Sequence, residues 1–130
     1  MIWNPRKVSL NILSSNNSWL SIKTNLNFIL VNIYGPTNNY AKKYLWDEIS
    51  VFINNHSNEL ILLGDDFNTI LNLDEKYGGI QHTSQATKGF NIWIDLNNLI
   101  DISFNNGKFT WNNKMKNFTY IAEKLDRFFY

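Results

Sequence analysis

Two apolar segments on either side of a helical pattern constrain the fold of this chain more than any other feature. Residues 28–34 are nearly continuous in apolar side chains, as expected of a strand covered on both sides, and Gly35-Pro36 ends the segment. Residues 60–63 form a second buried strand, which passes directly into Gly64-Asp65-Asp66-Phe67-Asn68. The pattern predicts one mixed α/β domain over residues 1–130.

The segment between these strands predicts a helix whose two faces differ in polarity. Thr37, Asn38 or Asn39 can cap its start. The predicted inner face holds Ala41, Leu45, Ile49, Phe52 and Ile53. The predicted outer face holds Lys42, Lys43, Asp47 and Glu48.

The remaining elements are shorter and are read from alternation and turn residues. Residues 8–13 and a strand resuming at Trp19 predict a hairpin around the turn at 16–18. Residues 72–79 predict a loop, and 84–98 a second helix with Ala86, Phe90, Trp93 and Ile94 inward. Further predictions are turns at 105–107 and 112–117, a short strand at 108–111 and a last strand at 122–130.

Composition narrows the range of functions. Twelve basic and eleven acidic side chains give a net charge of +1, which disfavours a protein that holds long duplexes by charge alone. There is no cysteine, so a disulfide framework and a thiolate site are excluded. The apolar runs are far shorter than the roughly 20 residues that span a bilayer, and the first seven residues lack a signal segment. We expect an intracellular protein, nuclear or cytoplasmic, with no membrane partner.

The end of the second apolar strand is the most informative place for chemistry. Asp66 and Asn68 stand two residues apart, so a carboxylate and an amide can point at one spot. The carboxylate can orient a water, and the amide can bond a phosphoryl oxygen. The alternative is a turn in which Asp66 and Asn68 cap their own backbone.

Three further segments carry candidate site residues. Tyr34 ends the first apolar strand, Thr110 and Trp111 lie on the predicted short strand, and Asp126 interrupts the apolar last strand. Alternatives remain open for two of these residues. Asp126 can be a solvent-facing residue paired with Arg127 or Lys124, and Trp111 can simply pack in the core.

In combination these segments resemble the endonuclease/exonuclease/phosphatase family, and most closely the endonuclease domains of plant-type non-LTR (LINE-type) retrotransposons. The resemblance extends over essentially all 130 residues. The matching motifs are Asn32-Ile33-Tyr34-Gly35-Pro36, Asp66-Phe67-Asn68-Thr69, Glu75-Lys76 with Gly78-Gly79, Asn106-Gly107 with Phe109-Thr110-Trp111, and Leu125-Asp126-Arg127.

The resemblance implies a role for each matching site residue. It makes Asp66 the acid that activates the attacking water, and Asn68 the amide that steadies the water and the phosphate. It makes Tyr34 a donor to the scissile phosphate, and Asp126 the acid that orients a distal histidine. Thr110, Trp111 and Arg127 become substrate-binding residues on the DNA side. It also implies Mg²⁺ as cofactor and DNA as the partner of the full-length parent, with metal ligands that remain unknown.

Two parts of the family pattern have no match here. These are an N-terminal half with the metal-binding glutamate and a closing Ser-Asp-His motif; neither His56 nor His82 lies in a matching context. We therefore expect part of a four-layer α/β/β/α sandwich, without its N-terminal half and last strand, that binds Mg²⁺ poorly and is inactive alone. Exposed apolar surface is then expected, with the missing half or self-association as possible partners.

Other classes of function remain open at this stage. A non-catalytic α/β module that binds nucleic acid or protein is one, and a small-phosphoester phosphatase of the same superfamily is another. Asp65 departs from the family pattern. If the strand persists, its side chain and that of Asp66 point to opposite faces. If the strand has ended, two adjacent carboxylates raise the pKa of one of them.

Overall fold

The computed structural model describes residues 7–102 and 107–130, which form two sheets and two helices. In chain order the elements are β1 (Leu10–Ser15), β2 (Trp19–Thr24), β3 (Phe28–Tyr34), α1 (Asn39–Asn55), β4 (Leu60–Asp66), β5 (Lys76–Tyr77), α2 (Gln85–Leu96), β6 (Trp111–Asn112), β7 (Ala122–Glu123) and β8 (Asp126–Phe129).

The main sheet has five strands in the order β1-β2-β3-β4-β8. β3 and β4 are parallel and are connected through α1, whereas the other neighbouring strands run antiparallel. A small second sheet has the order β5-β7-β6. The predicted mixed α/β class is therefore confirmed. The parallel pair matters most for the site, because it brings the carboxyl ends of β3 and β4 to the same edge.

Both helices contribute to one apolar core on one face of the main sheet. Trp46 of α1 lies in its centre, with ring centroids 4.8 Å from Trp93 and 5.2 Å from Phe90 of α2. Phe67, directly after β4, and Phe129 of β8 pack into the same aromatic cluster. The inward positions predicted for Phe90 and Trp93 are confirmed. This cluster fixes the helices against the sheet edge where the site residues lie.

The N-terminal strands correct two predictions. The hairpin is present, but β1 covers Leu10–Ser15 rather than 8–13, and its pairing shifts between Ile12 and Ser14. This irregularity breaks the simple alternation, and Ile12 is 64% exposed. β3 matches the predicted 28–34, but the expectation of burial on both sides is wrong, because Asn32 and Tyr34 are exposed.

Helix α1 confirms the cap and corrects the predicted faces. Asn38 is the N-cap residue and accepts from two backbone N–H groups of the first turn. Ala41 is exposed, whereas Lys42 is buried with 7% exposure, so both were assigned to the wrong face. Trp46 occupies the core, and Lys42 stands four residues before it on the same side of the helix.

The C-terminal segment is not one strand. Residues 122–130 were predicted as a continuous strand, but β7 belongs to the small sheet and β8 to the main sheet. The chain changes sheets at residues 124–125. The predicted strand at 108–111 is found instead at Trp111–Asn112, and the predicted loop at 72–79 contains a 3-10 turn (Leu73–Glu75) and β5. Residues 105 and 106 of the predicted turn lie outside the described residues.

Large apolar side chains are also exposed on the sheet. Leu60 is 53% exposed and Phe128 is 47% exposed, with the Phe128 ring lying where a Cβ on Gly64 would be. Self-association through such surface stays a prediction. Within residues 7–102 and 107–130, none of the helices has the length and apolar character needed to cross a membrane.

Candidate active site at the carboxyl ends of β3 and β4

The strand register places three predicted site residues side by side. Tyr34 pairs with Asp66 across β3 and β4, and Asp66 pairs with Asp126 across β4 and β8. Neighbouring strands lie about 4.8 Å apart, so the three backbones form one row at the sheet edge. Tyr34 is 65% exposed, which leaves its side chain accessible from solvent. Residues that stand 92 positions apart in sequence are thus neighbours.

Hydrogen bonds fix the loop that carries Asp66 and Asn68. Asn68 has a left-handed backbone with φ of 49°, and its N–H donates to Asp66 Oδ1 at 2.8 Å. Its side-chain amide donates to the Gly35 carbonyl oxygen at 2.6 Å. Asp66 therefore does cap its own backbone, as the alternative interpretation proposed, but Asn68 bonds across to the loop after β3 instead.

Gly35 lets these two loops approach each other. Its N–H donates to the Asp66 carbonyl oxygen at 2.6 Å. A Cβ at this position would overlap the Phe67 backbone and lie 2.6 Å from its carbonyl carbon. A side chain here would force the Tyr34 and Asp66 segments apart. The glycine that follows Tyr34 in the sequence is thus a steric requirement of the site.

The strand persists through Asp65 and Asp66, yet the two carboxylates are not simply on opposite faces. Asp65 has φ of 101°, in the left-handed region that favours glycine, and its carboxylate accepts from the Asn32 side-chain amide at 2.7 Å. Asn32 is exposed on β3. The departure from the family pattern therefore adds a second carboxylate near the site.

Burial raises the pKa of Asp66 above its ordinary value, and the carboxylates of Asp126 and Asp65 raise it further. The hydrogen bond from the Asn68 backbone acts in the opposite direction and is second in size only to burial, and the positive charge of Lys42 lowers the pKa by a smaller amount. A half-buried carboxylate with a raised pKa is a stronger base than an exposed one. A pKa shifted by burial together with specific neighbouring charges is typical of functional sites, and structural ion-pair networks produce such shifts as well.

Lys42 is the site residue that the sequence reasoning missed. Its ammonium group donates to the Asn68 carbonyl oxygen at 2.6 Å. Burial lowers the pKa of Lys42, while Glu123 and Asp66 counteract this effect. The signal that could have found it is Trp46, because placing that indole in the core puts Lys42 on the inner face as well.

Thr110 directly precedes β6, and Trp111 is the first residue of that strand. The Thr110 hydroxyl oxygen accepts from the backbone N–H groups of Leu125 and Asp126, at 2.9 Å and 3.0 Å. In this position Thr110 holds the segment that carries Asp126. Trp111 is 44% exposed, so the alternative of simple core packing is wrong.

Arg127, predicted to bind substrate, occupies a different place. Its guanidinium is fully buried and contacts Glu75 at 2.6 Å and Asp101 at 2.9 Å. A guanidinium enclosed by these partners is not available to a ligand at Asp66, so the predicted substrate contact does not fit this position. The alternative pairing of Asp126 with Arg127 is wrong for the same reason.

Two motifs of the sequence resemblance meet in space. Glu75 of the first motif binds Arg127 of the second, and the neighbouring Lys76 pairs with Glu123 at 2.9 Å. Gly78, with φ of 75°, comes close to the Tyr120 backbone. These contacts hold the small sheet against the end of the main sheet, so both motifs have a structural function here.

A cavity of about 450 Å³ with several charged and polar residues in its lining lies beside the Asp66–Asn68 loop. Its lining includes Asn68, Lys42, the Lys76–Glu123 pair and His82. A second cavity of about 480 Å³ lies between α1 and α2, is mostly apolar, and is lined by none of the predicted site residues. His56 sits at the end of α1, where Nδ1 lies 2.9 Å from the Phe52 carbonyl oxygen, in agreement with a helix-end role.

The side chains of the described residues do not form a preorganised metal-binding site. Over residues 7–102 and 107–130, no three His, Asp or Glu side chains are grouped so that they could hold a metal ion. Asp66 Oδ1 accepts from Asn68, and Asp65 is turned toward Asn32. These residues alone therefore do not make a three-ligand Mg²⁺ site.

The α/β architecture is similar to that of a solved endonuclease domain. A solved structure described as the endonuclease domain of TRAS1, a telomere-specific non-LTR retrotransposon, superposes with a TM-score of 0.68 at 12% sequence identity. The match covers 92% of this chain and 55% of that one, so the chain spans about half the length of the solved domain. Neither the models of known protein families nor the curated proteins give a match. At this identity the likeness establishes the fold.

Proposed function

We propose that this chain forms part of a phosphodiesterase domain of the endonuclease/exonuclease/phosphatase type, acting on DNA as in non-LTR retrotransposons. One observation carries the proposal. Tyr34, Asp66 and Asp126 stand in one row across three neighbouring strands, and Asn68 follows Asp66 in a loop fixed by hydrogen bonds. The phenol and the amide can donate hydrogen bonds to phosphate oxygens, and the acid beside them can accept a proton from an attacking water, as phosphodiester hydrolysis requires.

Each residue has a proposed role in hydrolysis. Asp66 takes a proton from the attacking water, for which its raised pKa makes it a better base. Asn68 and Tyr34 donate hydrogen bonds to non-bridging phosphate oxygens as negative charge develops on them. Asp126 orients a histidine, as the sequence resemblance implies, and Thr110 holds the Asp126 backbone.

The proposed cofactor is Mg²⁺, with ligands that are not assigned to residues of this chain. Mg²⁺ usually keeps several waters and takes one or two carboxylates together with substrate phosphates. The glutamate and histidine motifs of the resembled family have no match among the 130 residues. We therefore propose that the chain alone recognises the phosphodiester but does not hydrolyse it at a measurable rate.

The test separates recognition from hydrolysis. A short DNA duplex is titrated into the ¹⁵N-labelled chain in the presence of Mg²⁺, and backbone amide shifts are followed by NMR. We expect saturable shifts at Tyr34, Asn68 and Asp126. Tyr34→Phe removes a proposed phosphate donor and should weaken them, whereas Tyr44→Phe, an equally exposed control on α1, should not. Shifts confined to other surfaces, or none at millimolar DNA, would contradict the proposed site.

Nicking of supercoiled plasmid completes the test. The wild-type chain with Mg²⁺ is expected to nick no faster than buffer. Nicking above buffer that Asp66→Ala abolishes would support the phosphodiesterase function and overturn the proposed inactivity. Nicking that survives Asp66→Ala would come from a contaminant or from a different site.

A further inference from the structure

We propose that Lys42 is a positioning residue of this site, holding the Asn68 backbone so that the Asn68 amide and the Asp66 carboxylate stay together. The inference rests on the proposed function only in treating the Asp66–Asn68 loop as a site. Its evidence is the contact between the Lys42 ammonium and the Asn68 carbonyl oxygen, at 2.6 Å.

The contact closes a set of three hydrogen bonds on one residue. The Asn68 N–H donates to Asp66, its side-chain amide donates to Gly35, and its carbonyl accepts from Lys42. Each bond restrains a different group of Asn68, so together they fix its left-handed backbone and the direction of its side chain. Lys42 is the only one of the three partners that comes from a helix.

The burial of Lys42 is costly for a residue with a purely local role. Its exposure is 7%, and an ammonium group removed from water is expensive unless charges or hydrogen bonds compensate it. Within the described residues, Lys42 makes none of the ion pairs closer than 4.0 Å. Lys43, the next residue, shows the cheaper arrangement, because it lies on the surface beside Asp47.

The charges around Lys42 link it to the acids of the site. Glu123 of β7 and Asp66 of β4 both favour the charged ammonium. Glu123 is itself paired with Lys76 of β5, and Asp66 faces Asp126 and Asp65. Lys42 is thus the cation that offsets part of the negative charge gathered at Asp66.

Three variants test the role without any need for catalysis. Lys42→Met keeps the length of the side chain and removes its hydrogen-bond donor and its charge. Lys42→Arg keeps both the donor and the charge, and Lys43→Met is the matched control one position away. The readouts are the ¹³C carboxyl titration of Asp66 and the side-chain amide resonances of Asn68. We expect Lys42→Met to move the Asp66 titration to higher pH and to shift the Asn68 amide. Lys42→Arg should return both toward wild type, and Lys43→Met should leave both unchanged.

A measurement on the wild-type chain protects the test against misfolding of Lys42→Met. The ¹³Cε signal of Lys42 is titrated with pH, and the Asn68 side-chain amide should show a step at the same midpoint. The proposal is overturned if the amide shows no such step, or if Lys42→Met and Lys43→Met give the same Asp66 titration. Failure of DNA to bind, with these results intact, would count against the proposed function alone.

Discussion

Two buried cations lie within the same small domain and are held in different ways. Arg127 has carboxylates at both sides of its guanidinium, Glu75 and Asp101, and a further bond to the Lys124 carbonyl oxygen. Lys42 instead donates to one backbone carbonyl, borders the cavity of about 450 Å³, and interacts with the carboxylates of Glu123 and Asp66 from a greater distance. The first arrangement is closed and has no room for a ligand. The second is open toward the Asp66–Asn68 loop.

The difference follows from the chemistry of the two side chains. A guanidinium is planar and always charged, and its donors match carboxylates on two sides, so it suits a permanent ion-pair network. An ammonium is a compact charge whose pKa shifts readily when it is buried. The network at Arg127 joins β8 to the turn at Leu73–Glu75, and the contact of Lys42 joins α1 to the site loop. We therefore call Arg127 the frame cation, because it helps to hold the small sheet against the main sheet, and Lys42 the site cation, because it holds the Asp66–Asn68 loop.

The largest expected effect is the loss of stability on replacing Arg127. Arg127→Met leaves the carboxylates of Glu75 and Asp101 without their buried cation. Breaking a buried pair in this way costs about 3–5 kcal/mol, more than a surface pair is worth. Urea denaturation followed by tryptophan fluorescence measures the change in the free energy of unfolding.

Lys42→Met provides the contrast in the same assay. It removes a hydrogen bond from a charged donor but also relieves the cost of burying the ammonium, so we expect a net loss of no more than about 1.5 kcal/mol. Equal losses for Arg127→Met and Lys42→Met would abolish the distinction between a frame cation and a site cation. A loss below about 1 kcal/mol for Arg127→Met would show that its network is not a stabilising frame.

The second prediction concerns how tightly the two site loops are joined. In Gly35→Ala the added Cβ meets the Phe67 backbone, which cannot move as a flexible side chain could. We expect a loss of about 1–3 kcal/mol in unfolding free energy, as for overpacked positions, and displaced resonances at Asn68. Thermal and urea unfolding, with an ¹⁵N spectrum of the variant, measure both effects.

Gly89→Ala is the matched control for that substitution. Gly89 lies within α2, and a Cβ there has no heavy atom within 4 Å. The added methyl group should stabilise the protein by about 0.4–1 kcal/mol, because alanine loses less backbone entropy in a helix. If Gly35→Ala and Gly89→Ala destabilise the protein equally, the loss at Gly35 does not come from close packing against the Phe67 backbone.

The sequence predicted the parts of the frame that depend on local pattern. The apolar run of residues 28–34 became β3 without a change of bounds, and Asn38, one of the three caps predicted for the first helix, caps α1. The resemblance assigned Tyr34, Asp66 and Asp126 to one site, whereas their spacing in the sequence did not. The strand register places their backbones together; their proposed chemistry stays a prediction.

The misassigned positions depend on contacts that are distant in sequence. Lys42 was placed on the solvent face because charge usually marks that face, but its carbonyl partner lies 26 residues away. The single strand predicted for residues 122–130 divides at residues 124–125, where the Leu125 N–H donates to the hydroxyl of Thr110, fifteen residues earlier in the chain. The alternation of apolar and polar residues within one segment does not reveal contacts between residues this far apart in sequence. For Arg127, the sequence could not show that Glu75 and Asp101 would enclose the guanidinium.

The smallest expected effect is a change in how stability depends on pH at Asp66. The pKa of Asp66 is raised in the folded chain, so between the ordinary value of 3.8 and the folded pKa the native state binds more protons than the unfolded state. Stability from this carboxyl is therefore present below pH 3.8 and is lost as pH rises through the folded pKa.

Asp66→Asn removes that loss and can keep an oxygen acceptor for the Asn68 N–H. We expect the variant to gain stability relative to wild type as pH rises from 3.5 to 7, measured by urea unfolding, with Asp47→Asn showing no such gain. An identical pH slope for wild type and Asp66→Asn would mean that burial and the neighbouring acids do not strain this carboxylate. The contrast between the two buried cations would then fail. Without a destabilised carboxylate at Asp66, the contact of Lys42 would be as purely structural as the ion pairs of Arg127.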